Sequence, residues 1–478
     1  MISNVDSFLL GRFPIIQKIL RALFLCFVVA ILIPEGSVKA TPLYLIAVPI
    51  FGLAVAASLL GRREPQHGWL YRVGFGVVVA LVLWCLAQAA SFEGNPFANS
   101  VWSAVSEALG HLPGSISIVP ADTIAAIIPV TLPFAIFLTG LILFNSDDSA
   151  TFLLRVLAVS GGVVAIAGII QFELFPEYLM FRKKEFYLQD LTAVLVNRNS
   201  IATYLGAAVL LNAGFLYDSL LPLAPRSGWG AKVFYVQNNM RITGRSLLHG
   251  AMLLATLVAL LLTRSRGGVG STLVALLVLS CFFVFDGNSR IRFRSRRAGP
   301  EPVAGSTWGI WLLAAGVIFA IFGILGGRVL LRADVQGGED ERFCAYQSMI
   351  QLLQDNWRVG TGLGTFREAY PRYQSASCGG NDALWDRAHS LYLEGWIDLG
   401  VIFLPLLLIV VGGLFVAFIT GLKKRKALRW APATGAAVLL LFLLHSAVDF
   451  SIQIPGVAVY FAAIMAGSAV LSLNRRRT

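Results

Sequence analysis

Charge is scarce in this chain: only 13% of its residues are Asp, Glu, Lys or Arg, about half of the roughly 25% carried by soluble domains. At 478 residues that scarcity excludes a row of ordinary water-soluble domains. Acid is scarcer than base, with 26 Asp and Glu against 38 Lys and Arg. Histidine and cysteine number five each, and no cluster of them has metal-ligand spacing. The G-x-x-x-x-G-K-[ST] pattern does not occur, so no nucleotide phosphate loop is signalled. No internal repeat stands out, and there is no low-complexity tract.

What is abundant is apolar. Hydrophobic residues make up 57% of the chain and gather into runs of roughly 17–22, the length that crosses about 30 Å of hydrocarbon. The runs lie near residues 20–33, 44–60, 71–90, 124–144, 152–172, 201–217, 246–263, 269–285, 307–327, 394–421, 432–448 and 454–473. They predict an all-α polytopic membrane protein of about twelve transmembrane helices, organised as a single integral membrane domain over 1–478. A large, partly helical periplasmic loop is expected between helices 9 and 10, at 328–390. Leu23 to Ile33, followed by Val38-Lys39-Ala40, also has the outline of a signal peptide. The many spans that follow favour an uncleaved first helix.

The formal charge of +12 invites a nucleic-acid reading. With both termini cytoplasmic, however, Arg290-Ile-Arg-Phe-Arg-Ser-Arg-Arg297, Lys423-Lys-Arg-Lys426 and Arg475-Arg-Arg477 all fall in cytoplasmic segments. That is the positive-inside bias of membrane insertion. It explains the basicity with membrane lipids as the partner and no nucleic acid.

Three outer loops hold the remaining sequence length. In the loop 91–123, Trp102, Val105 and Leu109 are spaced to share one face of a short helix resting on the membrane surface. The loop 173–200 contains Arg182-Lys-Lys184, basic groups on the side where they are disfavoured. The loop 328–390 has apolar residues at helical spacing from Cys344 to Leu353, and a second amphipathic stretch through Phe366, Tyr370 and Tyr373. A loop this long with its own helices is usually functional. Between the two stretches, Gly360, Gly362 and Gly364 superficially resemble a nucleotide loop. They follow no parallel strand, so they read as a tight turn that lets backbones approach. Cys26, Cys85 and Cys281 lie in spans and are expected to pack as small apolar residues. Cys344 and Cys378 share the long loop, where an oxidising compartment either joins them in a disulfide or leaves two thiols. Asp147-Asp148 reads as a solvated helix cap rather than a metal site.

The arginines carry the chemistry. Arg198, in Asn197-Arg198-Asn199-Ser200, opens the sixth span on its outer side. Arg264 and Arg266, in Thr263-Arg264-Ser265-Arg266-Gly267-Gly268, fill the short outer connection between the seventh and eighth spans. A guanidinium at membrane depth costs several kcal/mol unless paired or solvated, and its planar fork suits phosphate oxygens. The plainer alternative is interfacial anchors snorkelling to lipid headgroups. Two clusters together favour an anion site. His389, at the end of the long loop in Arg387-Ala-His-Ser-Leu-Tyr-Leu-Glu394, is placed to take a proton from a sugar hydroxyl; the plainer reading is a helix-start histidine bonded to backbone. His445 and Asp449 lie four apart on the eleventh helix, hence on one face, in a supporting role. His67, His111 and His249 read as ordinary surface or core residues.

These elements together resemble the O-antigen ligase and polymerase family of bacterial cell-envelope glycosyltransferases. The matching stretches are Asn197-Arg-Asn-Ser-Ile-Ala-Thr-Tyr-Leu-Gly206, Ser265-Arg-Gly-Gly268, Val359-Gly-Thr-Gly-Leu-Gly364, His389-Ser-Leu-Tyr-Leu393 with Leu399-Gly400, and His445 to Asp449 with Pro455. They cover roughly 150–470 in family order. Ser390 departs from the Asn often found after the histidine, so no role is carried onto it. The resemblance implies a periplasmic loop capping an outer-face cavity, and transfer of a glycan from undecaprenyl diphosphate without metal or other cofactor. Arg198 and Arg266 would hold the diphosphate, helped by Arg264, Asn197 and Asn199. His389 would be the base that activates the acceptor hydroxyl or else would orient it, while His445 and Asp449 would pair with each other or support an outer arginine. The acceptor would be lipid A-core in a ligase or a growing glycan in a polymerase, and the ligase is slightly favoured. A secondary transporter of an anionic solute or lipid is the reading from another class. Against it, the ionisable groups gather at the outer face rather than at the bilayer midplane.

Overall fold

The structure, a computed structural model, describes residues 14–61, 64–180, 182–220, 243–296, 338–374, 385–425 and 428–474. The expected ninth span at 307–327 and the Cys344–Cys378 pairing lie outside the described residues. Every other expected span coincides with helix. In chain order these are α1 (Pro14–Ala30), α2 (Ala40–Leu60), α3 (Gly68–Ala89), the short α4 (Val101–Leu109), α5 (Pro120–Leu143), α6 (Asp147–Leu174), α7 (Arg198–Leu220), α8 (Gly244–Leu262) and α9 (Arg266–Arg296). The long loop contributes α10 (Gly338–Asn356) and the one-turn α11 (Phe366–Ala369). Then come α12 (Leu391–Leu399), α13 (Phe403–Lys424), α14 (Trp430–His445) and α15 (Pro455–Leu473). The strands β1 (Tyr178–Leu179) and β2 (Arg182–Lys183) form one small antiparallel ladder. Among the described residues nine helical stretches, Leu391–Lys424 counted as one, are long and apolar enough to cross a membrane. The chain is an all-α, multi-pass membrane protein.

Local chemistry accounts for several boundaries. Pro120 opens α5, where a missing N–H costs nothing. Ser146 and Ser149 form a reciprocal capping box at the start of α6. Gly400, at φ +68°, closes α12, so the single span expected at 394–421 is two helices joined by a 3-10 turn at Gly400–Ile402. The cap expected of Asp147-Asp148 belongs to Ser146 instead. The Asp147 carboxylate accepts from Arg425 Nη2 at 2.5 Å and Asn474 Nδ2 at 2.9 Å.

The described residues divide between two compact units. The first contains Met1–Asn145, Ala333–Val416 and Leu444–Ala466, and the second Ser146–Arg332, Ala417–Leu443 and Gly467–Thr478. In the second, α7 packs against α6, α8 and α9 and is buried almost all round. Small residues permit this closeness: at Gly206 a Cβ would overlap the Thr272 hydroxyl of α9. Asn212 of α7 donates to Ala158 O at 3.0 Å and bonds His249 Nδ1 at 2.9 Å. His249 is thus a satisfied core histidine, as its sequence position suggested.

In the first unit α5 packs against α1, α2 and α3. Outward faces carry large apolar residues such as Leu45, Val48, Leu59 and Leu83, which a lipid solvent tolerates and water does not. Of the three span cysteines only Cys85 is packed. Cys26 and Cys281 are exposed, because their helix positions turn away from neighbouring helices. The expected helices of the long loop form: α10, α11 and α12 bury Met349, Leu352, Phe366, Tyr370, Ala388 and Ile397 together. The glycine turn is a backbone splice rather than a ligand loop. Gly360, Gly362 and Gly364 have φ of +76°, +106° and +79°, a region L-residues rarely enter. Thr361 N and Gly362 N donate to Ile397 O and Asp398 O at 2.9 and 3.1 Å. A Cβ at Gly360 would overlap the carbonyl of Asp398. The Gln88 amide nitrogen of α3 bonds both Val359 O and Asp398 O at 2.8 Å, fastening loop and α12 to the bundle.

Candidate functional site

The three arginines singled out by sequence meet at one end of the second unit. Arg198 is the first residue of α7, and Arg266 the first of α9. The connection from α8 to α9 is only three residues long, with Arg264 at φ +54°. The tie between the two places is Ser265 Oγ, which donates to Asn199 Oδ1 at 2.8 Å and accepts from Gly268 N at 3.2 Å. Asn197 Oδ1 accepts from Asn199 N at 2.7 Å, capping the start of α7. Both asparagine oxygens therefore position the arginines.

Sequence reasoning missed the anion already present among them. Asp190, 5% exposed, receives Arg198 Nη1 on Oδ2 at 2.8 Å, and Arg264 Nη1 lies 3.6 Å from its Oδ1. Lys184 Nζ donates to the Asp190 carbonyl at 3.1 Å. Burial pushes the Lys184 amine down from its ordinary value, and the Asp190 charge partly offsets this. Arg198 also lies 5.4 Å from the centre of the Tyr187 ring. Among the described residues, one carboxylate set between Lys184, Arg198 and Arg264 leaves a surplus of positive charge. Arg266 stands exposed beside them in sequence. The only advance signal was Arg182-Lys-Lys184 on the disfavoured side of the membrane.

His389 belongs to the first unit. It sits in the left-handed region at φ +51°, where a non-glycine residue stores strain and is often functional. Its ring meets Trp385 and Phe450 edge to face at 5.6 and 5.0 Å, and its carbonyl accepts from Tyr346 Oη at 3.5 Å. Ser390 caps α12 by accepting from Leu393 N at 3.5 Å. Leu391 N donates to Ser446 O at 2.9 Å, bringing the histidine loop beside the end of α14.

His445 and Asp449 need a correction. The helix ends at His445 and residues 446–448 turn, so the two side chains do not share a helix face. Asp449 accepts a hydrogen bond from Ser451 Oγ, a local bond that competes with helix continuation. They remain electrostatic neighbours through the turn, both buried.

What holds the histidine loop in place is Glu394, quoted in the motif without a role. Its side chain is 2% exposed. Oε1 accepts from Arg387 Nη1 at 2.9 Å, and Oε2 from Ala388 N at 2.8 Å. Desolvation works against the Arg387 charge, but the carboxylates of Glu394, Asp398 and Asp386 outweigh it and raise its pKa. The residues immediately before His389 are thus clamped to α12. Glu394→Ala should leave the buried Ala388 N–H unpaired, at about 1–3 kcal/mol. A lower melting temperature together with reduced transfer is the expected outcome; an unchanged melting curve would show that the clamp contributes nothing.

Residues 251–408 match a family model described as O-antigen ligase. No curated protein matches the chain. The matched segment contains Arg264, Arg266 and His389, and the family implies a glycosyltransferase-type enzyme that handles lipid-linked glycans. That segment, about a third of the chain and set on a multi-pass helical scaffold, is similar to the O-antigen ligase family.

Proposed function

We propose that the protein transfers a glycan from undecaprenyl diphosphate to an acceptor hydroxyl on the periplasmic face of the inner membrane. The acceptor in this reading is lipid A-core, making the protein an O-antigen ligase. The observation that carries the reading is the positive surplus at the shared end of α7, α8 and α9: Arg198 and Arg264 with a single carboxylate between them. Such a surplus suits a multiply charged ligand with oxygens for each guanidinium fork.

In the reaction the acceptor oxygen attacks the anomeric carbon of the donor sugar. The bond from that carbon to the diphosphate oxygen breaks, and the leaving diphosphate keeps the electron pair. Arg198 and Arg266 neutralise the developing charge, each well-placed donor supplying about 3–4 kcal/mol. The hydroxyl proton passes to the His389 imidazole. Arg264 assists, and Asn197 and Asn199 hold the arginines in register. In this reading guanidinium and ammonium groups supply the counter-charge, and the proposed transfer calls on no metal.

Polymerisation of repeat units uses the same donor chemistry and is the second reading within the family. A deletion strain separates the two. On an envelope-glycan gel, loss of all polymer from lipid A is expected for the ligase. A single repeat unit on lipid A would mean polymerase, and unchanged glycans would overturn both.

A further inference from the structure

Asp190 does more in this arrangement than neutralise. Its carboxylate occupies the place between Arg198 and Arg264 where a ligand oxygen would sit. It is also firmly tethered. Asp190 N donates to Tyr187 O at 3.1 Å, Leu191 N donates to Leu262 O at 3.0 Å, and Lys184 Nζ holds the Asp190 carbonyl at 3.1 Å. The two guanidiniums are held unequally. Arg198 makes a hydrogen bond at 2.8 Å, whereas Arg264 stands at 3.6 Å, and its Nη1 finds no hydrogen-bond acceptor among the described residues.

We infer that Asp190 is a specificity-determining residue: a built-in competitor that admits a diphosphate and turns away a single phosphate. This rests on the diphosphate-donor reading above. A membrane offers phospholipid phosphates, each with one charge, in vast excess over any polyprenyl diphosphate. A monoanion entering the cluster merely exchanges one single charge for another. The tethered carboxylate wins that exchange through its high effective concentration. A diphosphate brings more charge and a second set of oxygens, enough to engage Arg264 while Asp190 remains on Arg198, or to displace it altogether. Discrimination here comes from a penalty on the wrong ligand, which is how a specificity difference is often built.

The test uses the full-length protein in phosphatidylcholine nanodiscs, titrated with inorganic pyrophosphate and, separately, with inorganic phosphate. The wild type is expected to prefer pyrophosphate by tenfold or more, and Asp190→Asn to lose most of that preference by gaining affinity for phosphate. Replacing part of the phosphatidylcholine by phosphatidylglycerol should then inhibit transfer by Asp190→Asn and spare the wild type. Equal preference in wild type and Asp190→Asn overturns the inference and leaves the donor site standing. A wild type that does not prefer pyrophosphate, or binds it equally well after Arg198→Ala, overturns the donor reading itself. Asp190→Glu keeps the charge and carries the test should the amide variant not fold. It must retain the preference, and its loss would overturn the inference.

Discussion

Replacing His389 should reduce glycan transfer by about 10²–10⁴-fold, the usual contribution of a positioned general base. His389→Ala alone would be ambiguous, because the ring also fills space between Trp385 and Phe450. His389→Asn resolves this. Asparagine tolerates the left-handed backbone found here at φ +51° better than most residues, and it stays polar, but it is no base. The expected pattern is a melting temperature near wild type with transfer lost in reconstituted proteoliposomes. Wild-type rates in His389→Asn would remove the proton-transfer role. The strained backbone makes the position costly to maintain, and the Glu394 clamp on Ala388 and Arg387 is what maintains it.

The second large effect is expected at Arg198. Arg198→Lys keeps one positive charge and loses the planar fork, so it tests geometry rather than charge. A loss of about 10²–10³-fold in kcat is expected if the guanidinium stabilises the departing diphosphate. Arg266→Lys should behave alike, and Arg264→Lys should cost less, since Arg264 is the more loosely placed partner of Asp190. The split between kinetic constants matters. A fall in kcat marks stabilisation of the transition state, whereas a rise in KM alone marks simple donor binding. Full activity in Arg198→Lys would reduce this arginine to an interfacial anchor.

Much of the candidate site was proposed before any fold was known, because guanidiniums on the expected outer side of a membrane are conspicuous in sequence. Arg198, Arg264 and Arg266 share one end of a helical unit for a visible reason: Arg264 lies within a three-residue connection, Arg266 follows it, and Ser265 ties that connection to Asn199. The His445–Asp449 spacing misled, since a four-residue interval implies a shared face only where helix continues, and α14 stops at His445. Asp190 and Glu394 gave no signal, since nothing local distinguishes an acid that pairs from one that meets solvent.

The sequence by itself determined the solvent, the helical class and most of the span positions. Apolar run length against bilayer thickness is a property of consecutive residues and needs no partner. The motif order also marked which arginines and which histidine to examine. Only the tertiary structure decided that Asp190 lies between two arginines, that Glu394 holds the backbone ahead of His389, and that the glycine turn braces α12 rather than a ligand. The first and last depend on groups far apart in the chain meeting, and the second on a chain reversal that brings Glu394 back onto Arg387 and Ala388, close to the roughly 3 Å range at which hydrogen bonds act.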